Sequence, residues 1–254
     1  LFSSLKNIDN NGSRRKQMIP KKIHYCWFGR GEKPKLAQKC IASWEKYCPD
    51  YEIIEWNEDN FDVYAHPYTK YCYENKKWAY LSDYVRLKVV CENGGIYFDT
   101  DVEVIKPFDQ LLTYEAFYGF ENENDVNTGQ GFGAVAGHST IKSMLQQYDN
   151  LKPDEQGNFT LVGCPALNTA ALVTFGLKLD GQLQNVGGAQ ILPVDWLNPY
   201  DDPTGRLEKT ENTYSIHWYS KSALSKKAIF RSNITRPFHR IFGKNCFDWI
   251  KKLK

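Results

Sequence analysis

Two short apolar runs, Ile23 to Phe28 and Tyr51 to Trp56, bracket a stretch in which Leu36, Cys40, Ile41, Trp44 and Cys48 recur at helical spacing. This order constrains the chain most: it reads as a β-α-β unit, the opening of an α/β sheet whose ligands collect at strand ends. Gly29-Arg30-Gly31 stops the first run and Pro49 stops the helix. A glycine turn at that point lets a nucleotide approach the backbone closely, and a plain strand-to-helix turn explains it equally.

A second helix is expected from Lys77 to Glu92, with Ala79, Asp83, Arg86 and Val90 on one face and Tyr80, Tyr84, Leu87 and Cys91 beside them. Asn93-Gly94-Gly95 caps it, and Ile96 to Val102 alternates as a strand. That alternation puts Ile96, Phe98, Thr100 and Val102 on one side and Tyr97, Asp99, Asp101 and Glu103 on the other. Later strands are expected over Ala116–Phe120, Phe132–Ala136, Ile191–Val194 and Tyr214–Trp218. Helices are expected over Thr140–Tyr148 and Pro165–Phe175, the latter stopped by Gly176.

The chemistry concentrates in Asp99-Thr100-Asp101. Two carboxylates at i and i+2 on one strand face can share a hard divalent cation such as Mn²⁺ or Mg²⁺, which keeps places for phosphate oxygens. Such a cation would neutralise a departing diphosphate. Asp-x-Asp also occurs as a solvated strand end, but like charges at the end of a buried strand repel unless something positive lies between them. Asp83 and Arg86 admit two readings: an i, i+3 helix ion pair worth roughly 0.2–0.5 kcal/mol, or a pair that holds sugar hydroxyls and phosphate.

The run Ile19-Pro20-Lys21-Lys22-Ile23-His24-Tyr25-Cys26-Trp27-Phe28-Gly29 resembles the opening of family 32 glycosyltransferases. The segment from Ala79 through Ser82-Asp83-Tyr84-Val85-Arg86 to Gly94-Gly95-Ile96-Tyr97-Phe98-Asp99-Thr100-Asp101 is similar to that family's diagnostic block. The family includes bacterial capsule and lipopolysaccharide sugar transferases and the yeast initiating mannosyltransferase type, and is related to clostridial glucosylating toxins.

The resemblance implies a GT-A fold, Rossmann-like with a mixed central sheet, and a metal-dependent hexosyltransferase that retains anomeric configuration. It implies a nucleotide-sugar donor, UDP-linked ahead of GDP-linked, and a glycan or lipid-linked glycan acceptor in bacterial surface polysaccharide or glycoconjugate synthesis. Trp27, with Phe28 and Gly29 in its turn, would stack on the base; Asp83 and Arg86 would hold the donor sugar; Tyr97 would line the donor pocket. Asp99 would contact ribose and reach the metal, and Asp101 would bind it directly. The strand Tyr214-Ser215-Ile216-His217-Trp218 resembles the family's late His segment more loosely, since Ser222-Ala223 stands where a Ser-Trp is usual. There His217 would complete the metal or diphosphate site, with Trp218 and Ser222 closing over the phosphates; a lone strand His is also an ordinary core residue. In the loop Glu121–Gly131, Asn127 is the candidate for a donor or acceptor contact, and Gly163-Cys164-Pro165 is a candidate acceptor wall or simply a helix start.

Seven scattered cysteines with no Cys-x-x-Cys pair suit a reducing compartment, and a cytoplasmic protein is expected. Residues 1–17 read as a tag or extension before Met18, residues 18–222 as the catalytic domain and 223–254 as a basic helical appendage. Net charge is +2, yet residues 221–254 carry ten Lys and Arg against Asp248, leaving the remainder acidic. That tail, interleaved with Phe230, Ile234, Phe238, Ile241, Phe242, Phe247 and Trp249, suits an anionic membrane surface on the inner face, or packing on the domain with a solvated charged face. Nucleic acid is not expected as a partner, because the rest of the chain is acidic. Two other functions compete. A haloacid-dehalogenase-like phosphatase also places Asp-x-Asp after an apolar strand, although Glu103 stands where it needs a small residue. The other is an inactive carbohydrate-binding module on the same fold.

Overall fold

The structure, a computed structural model, describes residues 17–220, 226–243 and 246–247. β1 (Lys22–Cys26), α1 (Lys35–Tyr47) and β2 (Glu52–Trp56) form the expected β-α-β unit, the two strands pairing in parallel from Lys22↔Glu52 to Cys26↔Trp56. α2 (Pro67–Glu74), α3 (Trp78–Asn93), β3 (Gly95–Tyr97) and β4 (Val102–Val104) follow. The middle of the chain supplies β5 (Ala116–Asn122), β6 (Asp125–Val126), β7 (Phe132–Ala134), α4 (Ser139–Asp149) and α5 (Cys164–Val173). The last third contributes β8 (Gln184–Val186), β9 (Ala189–Leu192), α6 (Val194–Leu197), β10 (Tyr200–Asp201), β11 (Arg206–Leu207), β12 (Ser215–His217) and α7 (Lys226–Phe242).

The central sheet runs β2-β1-β3-β7-β5-β9-β8, with β6 joined to β5. It is mixed: β1 pairs in parallel with β2 and β3, and β5 with β9, whereas β7 runs antiparallel to both β3 and β5. This is the mixed α/β architecture expected, with a basic helix at the C-terminal end. Strand alternation sends Ile23 and Tyr25 of β1 into one core with Trp44, Phe98 and Phe108, and Cys26 into the other with Leu87, Tyr97 and Phe132. Helices therefore cover both faces, which forces functional groups to the strand ends.

The expected strand over 96–102 is broken. Phe98 still donates its N–H to the His24 carbonyl (3.1 Å), but the chain then turns, closed by Val102 N–H to the Asp99 carbonyl (3.0 Å). β4 leaves the main sheet to pair with β12. The entry to β3 is set by the glycine pair. Gly94 (φ 64°) caps α3 and Gly95 takes φ 113°, where a Cβ would sit 2.9 Å from both His24 Nε2 and the Lys22 carbonyl. His24 is itself committed: Trp56 Nε1–H donates to its Nδ1 (3.0 Å), so its Nε2–H donates to the Gly94 carbonyl (2.8 Å). Burial lowers its pKa and keeps it neutral. Gly95→Ala is expected to cost about 1–3 kcal/mol through strained backbone and displaced His24. Thermal denaturation checks this, and an unchanged melting temperature would show that the contact relaxes freely.

Candidate active site

Asp99 and Asp101 stand in the turn between β3 and β4, not on one strand face as the alternation predicted. Backbone N–H of Asp99 donates to the Gly129 carbonyl (3.1 Å), tying the turn to the loop after β6. Gly129 has no room for a Cβ, which would meet Asp99 Oδ2 and sit 3.0 Å from Arg86 Nη1.

α3 delivers Asp83 and Arg86 beneath that turn. Arg86 is buried, and its Nη2 lies 2.9 Å from Asp83 Oδ1 and 3.0 Å from Asp99 Oδ1. Its Nε donates to the Ser82 carbonyl (3.1 Å), and the guanidinium stacks 5.0 Å from the Tyr97 ring centre. Tyr97 O–H also donates to Asp99 Oδ1 (2.9 Å). The i, i+3 ion pair thus exists, but buried and shared with a second carboxylate, so the surface-pair magnitude does not apply. Burial pushes the Asp83 carboxyl up to about 6, against the pull of Arg86.

β12 brings His217 to the same place, because its antiparallel register sets His217 opposite Val102. His217 Nε2 lies 3.2 Å from Asp101 Oδ1, and the Ser220 N–H donates to Asp101 Oδ2 (2.6 Å). Burial would raise Asp101, but His217 and Ser220 overcome it and hold the carboxyl well below the usual range. Burial likewise opposes the charged form of His217, and Asp101 outweighs it, raising the imidazole above its ordinary value. His217 Nδ1 is buried without a hydrogen-bond partner among the described residues. Ligand atoms of Asp99, Asp101 and His217 all lie within 4.8 Å of one another. Two carboxylates and an imidazole with an orphaned nitrogen fit a divalent cation of the Mn²⁺ or Mg²⁺ kind, the His favouring Mn²⁺.

Asp99 and Asp101, the latter in contact with His217, border a cleft of about 520 Å³, a size suited to a small molecule. Trp27, Phe28, Gly29, Asp83, Arg86, Asp99, Asp101, Asn127 and Cys164 line it, so the structure brings together most of the residues singled out from the sequence. The indole N–H of Trp27 donates to the Gly31 carbonyl (2.7 Å) and Lys33 Nζ lies over its ring, 5.6 Å from the centre, contacts that tie the ring to the loop. Asn127 Oδ1 accepts from the Gly129 N–H (2.7 Å) and the Cys164 thiol (3.4 Å), leaving its amide N–H₂ as the group available to a ligand.

Other expected residues fall elsewhere. Tyr97 is 1% exposed and supports Asp99 from below instead of lining the cleft. Trp218 directly follows the end of β12, and its side chain is turned away from the cleft. Its indole N–H donates to Glu103 Oε2 (2.8 Å) and its ring packs on Tyr200. Ser222 lies outside the described residues, as do residues 1–16. Sequence reasoning passed over Trp78, Tyr80 and Ser220, which also line the cleft. Gly29 was the one available signal for Trp78: its φ is 88° and a Cβ there would touch the indole at 2.9 Å. Ser220 acts through its backbone N–H, which no side-chain pattern reveals.

The raised Asp83 pKa has a definite sign. The folded chain holds this proton between about pH 6 and the unfolded value of about 4, so this group stabilises the fold as pH falls through that window. Relative to the wild type, the melting temperature of Asp83→Asn is therefore expected to be higher at pH 7.5 than at pH 5. Parallel scans at the two pH values check it; a constant offset would mean that Asp83 is ionised throughout.

Residues 34–118, spanning Asp83 to Asp101, match the sequence family described as a glycosyltransferase sugar-binding region containing a DXD motif. Over 142 residues the chain is 29% identical to inositol phosphoceramide mannosyltransferase 3 of Schizosaccharomyces pombe, covering 53% of this chain and 38% of that protein. A 50-residue stretch is 44% identical to glucan organizing enzyme 1 of Cryptococcus neoformans var. grubii, covering 20% of this chain and 14% of the relative. The chain thus spans well under half the length of these curated relatives. Among solved structures, the PaToxG glycosyltransferase aligns with a TM-score of 0.49 at 20% identity, covering 62% of this chain and 69% of that one. A glycosyltransferase involved in glycosylating the major capsid of PBCV-1 aligns with a TM-score of 0.45 at 11% identity, covering 84% of this chain and 98% of the other. The matches are to glycosyltransferases and glycan-related proteins.

Proposed function

We propose that this chain is a retaining glycosyltransferase of the GT-A, family 32 kind, moving a hexose from a nucleoside-diphosphate donor to a hydroxyl of a glycan or lipid-linked glycan. One observation carries the reading. Asp99, Asp101 and His217, up to 118 residues apart in sequence, come together, and the two carboxylates line a cleft that also holds an indole and a buried carboxylate–guanidinium pair. A divalent ion held by those three residues would supply charge neutralisation to the diphosphate leaving group.

The chain's own residues orient and exclude. Trp27 offers a face to the nucleobase, Asp83 accepts hydrogen bonds from sugar hydroxyls, and the Asn127 amide donates to the donor sugar or the acceptor. Arg86 holds Asp83 and Asp99 at fixed separation, so the positions are set before the donor arrives. Among the described cleft residues the carboxylates are Asp83, Asp99 and Asp101, each held by Arg86 or His217. This favours a front-side displacement. The acceptor oxygen bonds to the anomeric carbon as the bond to phosphate breaks, and a leaving phosphate oxygen takes the acceptor proton. The phosphatase alternative loses ground on the same contacts: Asp99, its required nucleophile, accepts hydrogen bonds from Arg86 and Tyr97.

The test is release of nucleoside diphosphate from a panel of UDP- and GDP-sugars, GDP-mannose included in view of the mannosyltransferase relative, with Mn²⁺ and with EDTA. UDP-sugar turnover lost in EDTA supports the reading, and product anomeric configuration by NMR tests retention. No turnover with any donor, together with no metal-dependent donor binding by calorimetry, removes the transferase reading and favours the binding module.

A further inference from the structure

We propose that α7 docks this chain onto an anionic lipid surface, a role that stands apart from the donor chemistry. α7 is held to the body on one side. Arg236 Nη2 pairs with Asp202 Oδ1 (2.8 Å), its Nε donates to the Asp202 carbonyl (3.2 Å), and Arg206 Nη2 donates to the Arg240 carbonyl (2.8 Å). At about 100° per residue, Phe230, Ile234 and Ile241 project from the side of the helix opposite Arg236. They are 67%, 51% and 73% exposed, so this apolar stripe is open to solvent. A contiguous exposed apolar stripe on a helix marks an interaction surface.

Charge decides the occupant. Lys227 and Arg231 flank the stripe, and with His239 they line a groove of about 450 Å³ between α7 and Asp202–Pro203. Arg240 is exposed on the other flank. Residues 221–254 carry ten Lys and Arg against one acidic residue. A second copy of the chain would set these bases against their equivalents, which repels. An anionic bilayer takes both features together: the stripe enters the acyl boundary while the bases meet lipid phosphates. Among the described residues no helix is long and apolar enough to cross a membrane, so this helix lies on the surface. A lipid-linked acceptor resides at such a surface.

Co-sedimentation of the full chain with phosphatidylcholine vesicles, with and without phosphatidylglycerol, tests this. Binding is expected only with the anionic lipid, falling at high salt. Lys227→Gln/Arg231→Gln is expected to weaken it about 25-fold, roughly fivefold per charge. Phe230→Ser/Ile234→Ser/Ile241→Ser is expected to weaken it at least about 100-fold. These positions are exposed, so circular dichroism and turnover with a soluble acceptor should be unchanged. Equal binding to both vesicle types, or anionic binding indifferent to the triple Ser variant, overturns the proposal. So does a dimer in sedimentation velocity that the triple Ser variant converts to monomer, which would show that a second copy covers the stripe.

Discussion

Asp101→Ala is expected to lower donor turnover by at least about 100-fold in Mn²⁺ and to remove most of the chain's affinity for that ion. Loss of an outer-shell partner alone costs about 10–100-fold in metal affinity or activity, so loss of a ligand should reach or exceed the upper end. Asp101 also accepts the Ser220 N–H at 2.6 Å and faces His217 Nε2 at 3.2 Å, so its removal loosens the segment that carries both of these groups. Asp101→Asn separates the effects, because the amide keeps an oxygen for Ser220 and loses the charge. Nucleoside diphosphate release and Mn²⁺ titration calorimetry measure them. If Asp101→Asn turned over donor at the wild-type rate, the charge at this position would not matter and the cation site would have to lie elsewhere.

Much of this site was legible in the sequence for a physical reason: the informative groups are local. The β-α-β opening follows from apolar spacing over Ile23–Trp56, and the glycine pair after α3 announces a backbone conformation that other residues disfavour. What failed was the geometry between Phe98 and Val102. Alternation of side chains matches a strand, but the backbone there bonds to itself and to Gly129, a partner some thirty positions away that no local pattern specifies. The same limit hid Trp78 and Ser220. It also misplaced Trp218, which directly follows β12 and whose place depends on the long-range β4–β12 pairing. α2 went unread because its signal is a Pro at its first turn and a His cap, His66 Nδ1 accepting the Tyr68 N–H, on an aromatic-rich segment of weak periodicity. Local sequence therefore named the charged groups well and their supporting contacts poorly, since the supports are long-range backbone atoms.

The second large effect belongs to Arg86. Arg86→Met is expected to destabilise the fold by about 3–5 kcal/mol, because it strands Asp83 and Asp99 together without a counter-charge under a buried turn. Arg86→Lys should recover only part of this. One ammonium cannot reproduce the planar fork that meets Asp83 and Asp99 through Nη2 and the Ser82 carbonyl through Nε, nor stack on Tyr97. Folding and function separate through a second substitution. Asp83→Asn placed on Arg86→Met removes one stranded charge and should restore part of the lost stability, a coupling that a double-mutant cycle reads directly by denaturant unfolding. Turnover should not return with it, because the carboxylate proposed to hold the sugar hydroxyls is gone. Strict additivity in that cycle would mean that Arg86 and Asp83 do not share their charge as their 2.9 Å contact implies. Coupling in stability without recovery of turnover is the outcome that a buried pair kept for substrate positioning requires, since a purely structural pair replaced by neutral groups should leave catalysis largely intact.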